Sequence, residues 1–399
     1  MNKKTRSEPT EKVRGQAGFQ GWRLRRYSAY IGLDVHKDTI AVSTADGTLS
    51  SDPQYLGEIP NEPKSVRALL KRLEDTRPGS LLFCYEAGPC GYVLYRQLTG
   101  EGHDCVVVAP SLVPRKPGER IKNDRRDSRK LAEMLRARTL TAVWVPDEHQ
   151  EAMRSLVRAR EDMKNQQRRA RQQLNAFVLR CGHSWPSGKS RWTQSHYNWL
   201  EELKCSHPLE HVVLQEYIDA VREAGERVSE VSKQIELARQ GWSLGKVVEA
   251  LVALRGVDRL SATILLAELG DISRFEDAKQ LFSYLGLVPS EYSSGEKRNQ
   301  GKITRAGNSH ARRILVECAW SYRFPPRVTG HIRRKSKDAP DYAQQIAWRA
   351  QKRLCGRYMK MVLAGKNAKV ITVAIARELA GFIWDIVCHE MGAINKEAA

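Results

Sequence analysis

Short apolar runs alternate with amphipathic stretches along the first third of the chain. Residues 30–35, Tyr-Ile-Gly-Leu-Asp-Val, read as a buried strand that carries a carboxylate near its end. Residues 39–44 alternate with the period of a second strand, and Asp46-Gly47 is a hairpin turn signal. Residues 80–85 and 105–108 read as further strands, and Glu86-Ala87-Gly88-Pro89 as a loop. Helical spacing runs through residues 63–72, 93–98 and 124–138. Strands alternating with helices predict an α/β domain with a partly parallel sheet, over residues 27–146.

From residue 147 the pattern turns helical. Met153, Leu156, Met163, Ala170, Leu174 and Phe177 form a seam spaced three and four apart, interrupted at Arg160 and Gln167. A cleaner seam follows at Leu214, Tyr217, Val221, Ala224, Val228, Val231, Ile235 and Ala238. That spacing is the coiled-coil signature. It predicts a coiled-coil domain over residues 147–243, explained equally by an antiparallel hairpin, a dimer contact or an ordinary packed helix pair. Residues 244–399 predict a third, mainly helical domain, with 289–308 as a loop rich in Ser, Gly and Lys. No repeat of solenoid period is present.

Charge changes the picture next. Among 399 residues, 66 Lys and Arg against 46 Asp and Glu leave a net +20, which calls for a polyanionic partner, nucleic acid first. Residues 1–26 hold eight Lys and Arg without an apolar segment and read as a basic disordered arm, not a secretory signal. The longest mainly apolar run, 370–376, is too short for a membrane span, which needs about twenty residues. Eight cysteines without regular spacing are no disulfide scaffold. The expectation is a soluble protein of a reducing, cytoplasmic compartment.

Four acids in the first domain carry candidate chemistry. Asp34 lies in the first strand and Glu86 follows a later one. Asp124 and Asp127, three apart, share one face of a helix. Converging carboxylates repel unless a divalent cation neutralises them, and two such cations can drive phosphoryl transfer. From spacing alone, four unrelated surface acids would be the better reading. The surroundings change that: Asp34 is embedded in an apolar strand, where an unpaired acid is costly. Asp124 and Asp127 sit among Arg115, Lys116, Arg120, Lys122, Arg125, Arg126, Arg129 and Lys130. Acids within a phosphate-attracting segment suit a nuclease-like site. His36, two residues after Asp34, is read as facing the opposite side of the strand and is given no catalytic role.

Several ordered blocks resemble the DEDD-type insertion-sequence transposases, the serine-dependent, bridge-RNA-guided recombinases. They are Tyr-Ile-Gly-Leu-Asp-Val-His-Lys (30–37), Cys-Tyr-Glu-Ala-Gly-Pro (84–89) and Lys-Asn-Asp-Arg-Arg-Asp-Ser-Arg-Lys-Leu-Ala (122–132). Leu-Arg-Gly-Val-Asp-Arg-Leu-Ser-Ala (254–262), Tyr-Leu-Gly-Leu-Val-Pro-Ser-Glu-Tyr-Ser-Ser-Gly (284–295), Ile-Thr-Arg-Ala-Gly-Asn (303–308) and Ala-Ile-Ala-Arg-Glu-Leu-Ala-Gly-Phe (374–382) continue the likeness. It spans nearly the whole chain from Tyr30 onward. The resemblance implies an RNase H-like, RuvC-type first domain, a coiled-coil insertion and a helical transposase domain. It implies a magnesium site on Asp34, Glu86, Asp124 and Asp127, with no organic cofactor. The nucleophile it implies is a serine of the Tyr-x-Ser-Gly block; the position directly before Gly295 favours Ser294, with Ser293 the alternative. The implied partners are double-stranded DNA, a guide RNA and further copies of the chain, in a dimer or tetramer. The Leu214 to Ala238 seam would offer the dimer contact.

Lys297, Arg298, Lys302 and Arg305 flank Ser294 and are read, with Arg125 and Arg126, as phosphate-binding. Residues 254–266 resemble a helix-hairpin-helix, in which Asp258 replaces a usual glycine and would repel phosphate. That leaves phosphate contact there level with a plain packing turn. Cys181, His183, Cys205 and His207 offer zinc-ligand types without the usual close Cys pairs, so zinc is the lesser reading. Trp185, Trp192 and Trp199 read as packing at a coiled-coil tip. The expected function is DNA recombination for a mobile element. The alternatives are a metal-dependent junction or flap nuclease using the acids and water, which would not need the Ser294 block, and a nucleic-acid-binding protein without catalysis.

Overall fold

A computed structural model describes residues 21–47, 51–114, 123–294 and 299–397. The chain divides into two compact units, Met1–Val145 and Pro146–Ala399.

The first unit is built on a five-stranded sheet of order β3-β2-β1-β4-β5. Its strands are β1 (Ala29–Val35), β2 (Thr39–Asp46), β3 (Gln54–Pro60), β4 (Leu81–Glu86) and β5 (Asp104–Val108). β1 pairs antiparallel with β2 and β2 with β3, whereas β4 and β5 run parallel to β1. Helices α1 (Pro63–Thr76), α2 (Val93–Gly100) and α3 (Asp124–Arg136) complete it. Alternate strand residues serve opposite faces. Ile31, Leu33, Phe83 and Tyr85 pack on α1 and α2, while Tyr30, Leu82 and Cys84 pack with Leu131, Ala132 and Leu135 of α3.

The α3 face depends on Gly32. A Cβ there would lie 2.2 Å from the Ser128 carbonyl oxygen and 2.4 Å from the Ala132 nitrogen, both backbone atoms of α3. The helix therefore rests directly on the strand, and the buried Ser43 and Ser128 hydroxyls join at 2.8 Å to fix its register. Gly32→Ala is expected to cost about 4 kcal/mol or more, because neither backbone can yield cheaply. Urea unfolding with unchanged midpoint would contradict this.

Three expectations are corrected here. The folded part begins before Tyr27: Trp22 is buried against Tyr27 and Tyr30, and Arg23 donates to the Leu140 carbonyl at 2.7 Å. Residues 1–20 of the expected arm lie outside the described residues. An edge strand, β3, was not anticipated. The 289–308 stretch is not only loop: it contains a hairpin of β6 (Pro289–Glu291) and β7 (Gln300–Ile303).

In the second unit, α4 (Glu148–Arg180) and α6 (Pro208–Gln240) pack side by side over much of their 33 residues each. Contacts of Arg160 with Ser232, Gln167 with Gly225 and Phe177 with Tyr217 show that they run antiparallel. The seam on α6 is thus covered by α4 of the same chain, and it is no free dimer contact. Arg160 and Gln167, the interruptions, fill polar layers of the hairpin. At its tip, with α5 (Gln194–Glu202), Trp185, Trp192 and Trp199 surround the buried His196, their ring centroids 4.9–5.7 Å from it. His183 meets the Lys204 carbonyl and His207 caps α6, so the four candidate zinc ligands form no ligand group.

The hairpin base shares its core with the rest of the unit, through Met153, Val157 and Ile235. The compact unit Pro146–Ala399 includes residue 243. The remaining helices are α7 (Gly245–Leu251), α8 (Arg259–Leu269), α9 (Ala278–Tyr284), α10 (Ser309–Ala319), α11 (Gly330–Lys335), α12 (Asp341–Leu363) and α13 (Ala368–Glu397). Between α7 and α8, Gly256 adopts φ +79° against the Cys318 carbonyl. Asp258 caps α8 by accepting from the Ser261 amide, and Lys335 Nζ donates to the Leu254 and Val257 carbonyls.

Burial pushes Lys335 down to about 8 from an ordinary 10.5. Between those values the unfolded chain binds more protons than the folded one, so stability rises with pH. Lys335→Met should abolish a gain of roughly 2–3 kcal/mol between about pH 8 and 10.5. Parallel melts of both proteins across that range check this.

Candidate active site

Strand register places the acids of the first unit. Leu33 pairs with Tyr85, which puts Asp34 and Glu86 one step further on, at the C-terminal ends of adjacent parallel strands. Helix α3 begins beside them. Asn123 caps it, its side chain accepting from the Arg126 amide at 2.9 Å, and Asp124 and Asp127 occupy its first turn. Carboxylates there also complement the helix dipole.

Asp34, His36 and Asp124 are, among the described residues, the one set of three ligand-type side chains with ligand atoms all within 4.8 Å of one another. His36 Nε2 lies 3.5 Å from Asp34 Oδ2 and 3.4 Å from Asp124 Oδ1. The sequence reading of His36 is therefore corrected. Residues two apart on a strand share a face, so the spacing itself placed His36 with Asp34. Asp127 and Glu86 fall outside this set. Burial raises the Asp34 carboxyl above its ordinary range; His36 lowers it, and the charges of Asp127 and Asp124 raise it again. A partly buried acid held against two like charges fits a hard divalent cation, which would relieve all three. Arg125 and Arg126 are exposed on α3, and the Arg125 guanidinium lies 5.4 Å from the Tyr55 ring centre.

A separate candidate group lies in the other unit, on the β6–β7 hairpin. The Tyr292 amide donates to the Asn299 carbonyl, and Arg312 reaches the Leu285 and Ala306 carbonyls beneath, all at 2.8–2.9 Å. Ser293 is built into this turn: its hydroxyl donates to Glu291 Oε1 at 3.0 Å and accepts from the Asn299 amide at 3.1 Å. Ser294 is exposed, and among the described residues its hydroxyl has no such bond. Lys302 lies on β7, and Arg305 follows in a left-handed conformation, φ 56°. Such backbone is uncommon outside glycine and marks a constrained position. Lys297, Arg298 and Gly295 lie outside the described residues.

The sequence matches two family profiles. One, described as a transposase of DEDD type, covers residues 31–182, and the other, described as the transposase IS116/IS110/IS902 family, covers 248–330. Among relatives, "Putative transposase y4qE" of Sinorhizobium fredii is 45% identical over 90% of this chain and 88% of its own length. The transposase for insertion sequence element IS1533 of Leptospira borgpetersenii is 29% identical over 83% of this chain and 96% of its own. That for IS1328 of Yersinia enterocolitica is 24% identical over 73% and 79%. These likenesses define the class, DNA transposases, which are enzymes of recombinase type. The chain belongs to the IS116/IS110/IS902 family of transposases. No helix among the described residues is long and apolar enough to cross a membrane.

Proposed function

We propose that this transposase cuts and rejoins element and target DNA through a covalent serine–DNA intermediate. Ser294 Oγ attacks a phosphodiester. Its proton is lost, a P–O bond forms at Oγ, and the P–O bond to one strand end breaks to leave a hydroxyl. Reversal by a different strand's hydroxyl rejoins DNA without ATP, because the phosphodiester bond energy is kept. The observation that carries this reading is the division of labour on the hairpin: Ser293 is held in the turn while Ser294 is exposed.

Asp34, Glu86, Asp124 and Asp127 would hold magnesium, which when bound supplies positive charge at the reacting oxygens and eases loss of the serine proton. The strand order, with three antiparallel strands followed by two parallel ones, supports an RNase H-like first domain. The paired α4 and α6 support the coiled-coil reading of the insertion. A structured guide RNA, with base pairing supplying target choice, accords with the net +20 and with the family likeness. Several strand breaks must be held together, which calls for a homo-oligomer. Arg125, Arg126, Lys302 and Arg305 would take backbone phosphates.

The test is to quench a reaction under denaturing conditions and map the DNA-linked peptide. An adduct on Ser294 is expected. One on Ser293 moves the assignment by a residue, and cut strands without any adduct leave the acids and water as the machinery.

A further inference from the structure

In the helical unit, α9, the β6–β7 hairpin, α12 and α13 line an open pocket of about 920 Å³. Its floor is apolar, with Phe282, Val373 and Phe382 partly exposed to it. Its rim is basic. Lys302, Arg305, Lys369 and Arg377 line it and make no ion pair among the described residues. Arg353 and Arg357 also line it, and they share one acid, each donating to Glu378 at 2.8 Å. Asp385 is the other acid in the lining, so six cations face two carboxylates and the lining keeps a positive excess. The Arg377 guanidinium lies 5.4 Å from the Phe282 ring centre, so charge and aromatic surface meet at one point.

We propose that this cavity seats unpaired nucleotides of single-stranded DNA next to the phosphate attacked at the hairpin. A neutral apolar ligand would not need the cations. Duplex DNA would satisfy the cations but keeps its base faces stacked away from an apolar floor. An unpaired strand offers both, bases for the floor and phosphates for the rim. A second copy of the chain, itself at +20, is a poor match for a basic rim. DNA is preferred to RNA because the hairpin that walls the cavity carries Ser294, and that preference rests on the proposed nucleophile. Ser294 lies five residues beyond Pro289, which pairs with Ile303, and so at most about 17 Å away along an extended chain. The seated bases thus lie a few nucleotides from the scissile phosphate.

Full-length protein would be photocrosslinked to oligonucleotides carrying 5-iododeoxyuridine, and the crosslinked peptides mapped. Crosslinks at Phe282 or Phe382 are expected, competed by unlabelled single strands and not by duplex. Lys369→Ala with Arg377→Ala should lower the slope of log affinity against log salt by about 1.4 for single-stranded DNA, two contacts at 0.7 each. Phe382→Ala should weaken binding about five- to tenfold. Both experiments are repeated in Ser294→Ala protein. If the wild type forms no serine adduct while the crosslinks persist in both proteins, the seat stands and the nucleophile reading fails. Crosslinks confined to other helices, equal competition by duplex or by RNA, or a change in the variants' self-association instead of their DNA binding would each overturn the proposal.

Discussion

Ser294→Ala protein is expected to form no covalent DNA adduct and to lose strand exchange by a factor on the order of 10⁴ or more, the scale for removing a nucleophile. Ser293→Ala is expected to retain exchange within about tenfold. The two residues are adjacent and chemically identical, so only their structural roles separate them. The Ser293 hydroxyl bridges Glu291 and the Asn299 amide across the turn, which makes it a fastener of the hairpin. Its loss removes two hydrogen bonds at an exposed site, each worth about 1 kcal/mol. Such a change loosens the position of the attacking group without removing it. Equal collapse of both variants would mean that the hairpin, and not one hydroxyl, is what matters. Normal exchange by Ser294→Ala would end the assignment.

The acids, the apolar strands and the long helices were legible because each follows from local pattern. Leu33, Tyr85 and their neighbours are apolar on both faces, as strands covered on both sides must be. Other features depend on contacts between segments far apart in sequence. β3 is an edge strand with Glu58 and Pro60 in it, none of its residues is fully buried, and three successive half-buried positions, Tyr55 to Gly57, break the alternation that marks a half-buried strand. The role of Gly32 shows only when α3 lies across it. The α6 seam was plain, but the same spacing serves a hairpin or a dimer, and only the partner's identity decides. Trp22 sits in a basic stretch whose composition reads as an arm, yet one buried indole is enough to draw that stretch into the core. His36 was within reach of pattern alone, since the two-residue period places it with Asp34. The basic rim of the cavity is split between a hairpin and two helices, and no single window of sequence contains it.

Asp34→Asn is expected to cut strand exchange on the order of 10³-fold or more, and at the same time to raise the melting temperature of metal-free protein. The second effect follows from sign. Burial, with Asp127 and Asp124 adding to it and His36 opposing, raises the folded carboxyl above its ordinary range. A raised carboxyl costs the fold stability once pH exceeds the unfolded value, so at neutral pH the ionised Asp34 is a net burden. Asparagine keeps the shape and removes the charge. A side chain needed only for folding would lose stability and activity together, whereas a ligand in a repelling cluster loses activity while the apo fold gains. Asp127→Asn should lose activity in the same way, because its charge is part of the same repulsion. Magnesium should raise the melting temperature of the wild type and raise that of Asp34→Asn much less. Melting curves with magnesium and with chelator, beside strand-exchange assays, separate the cases. Full exchange by both variants, or a wild type whose melting is indifferent to magnesium, would remove the acids from the mechanism.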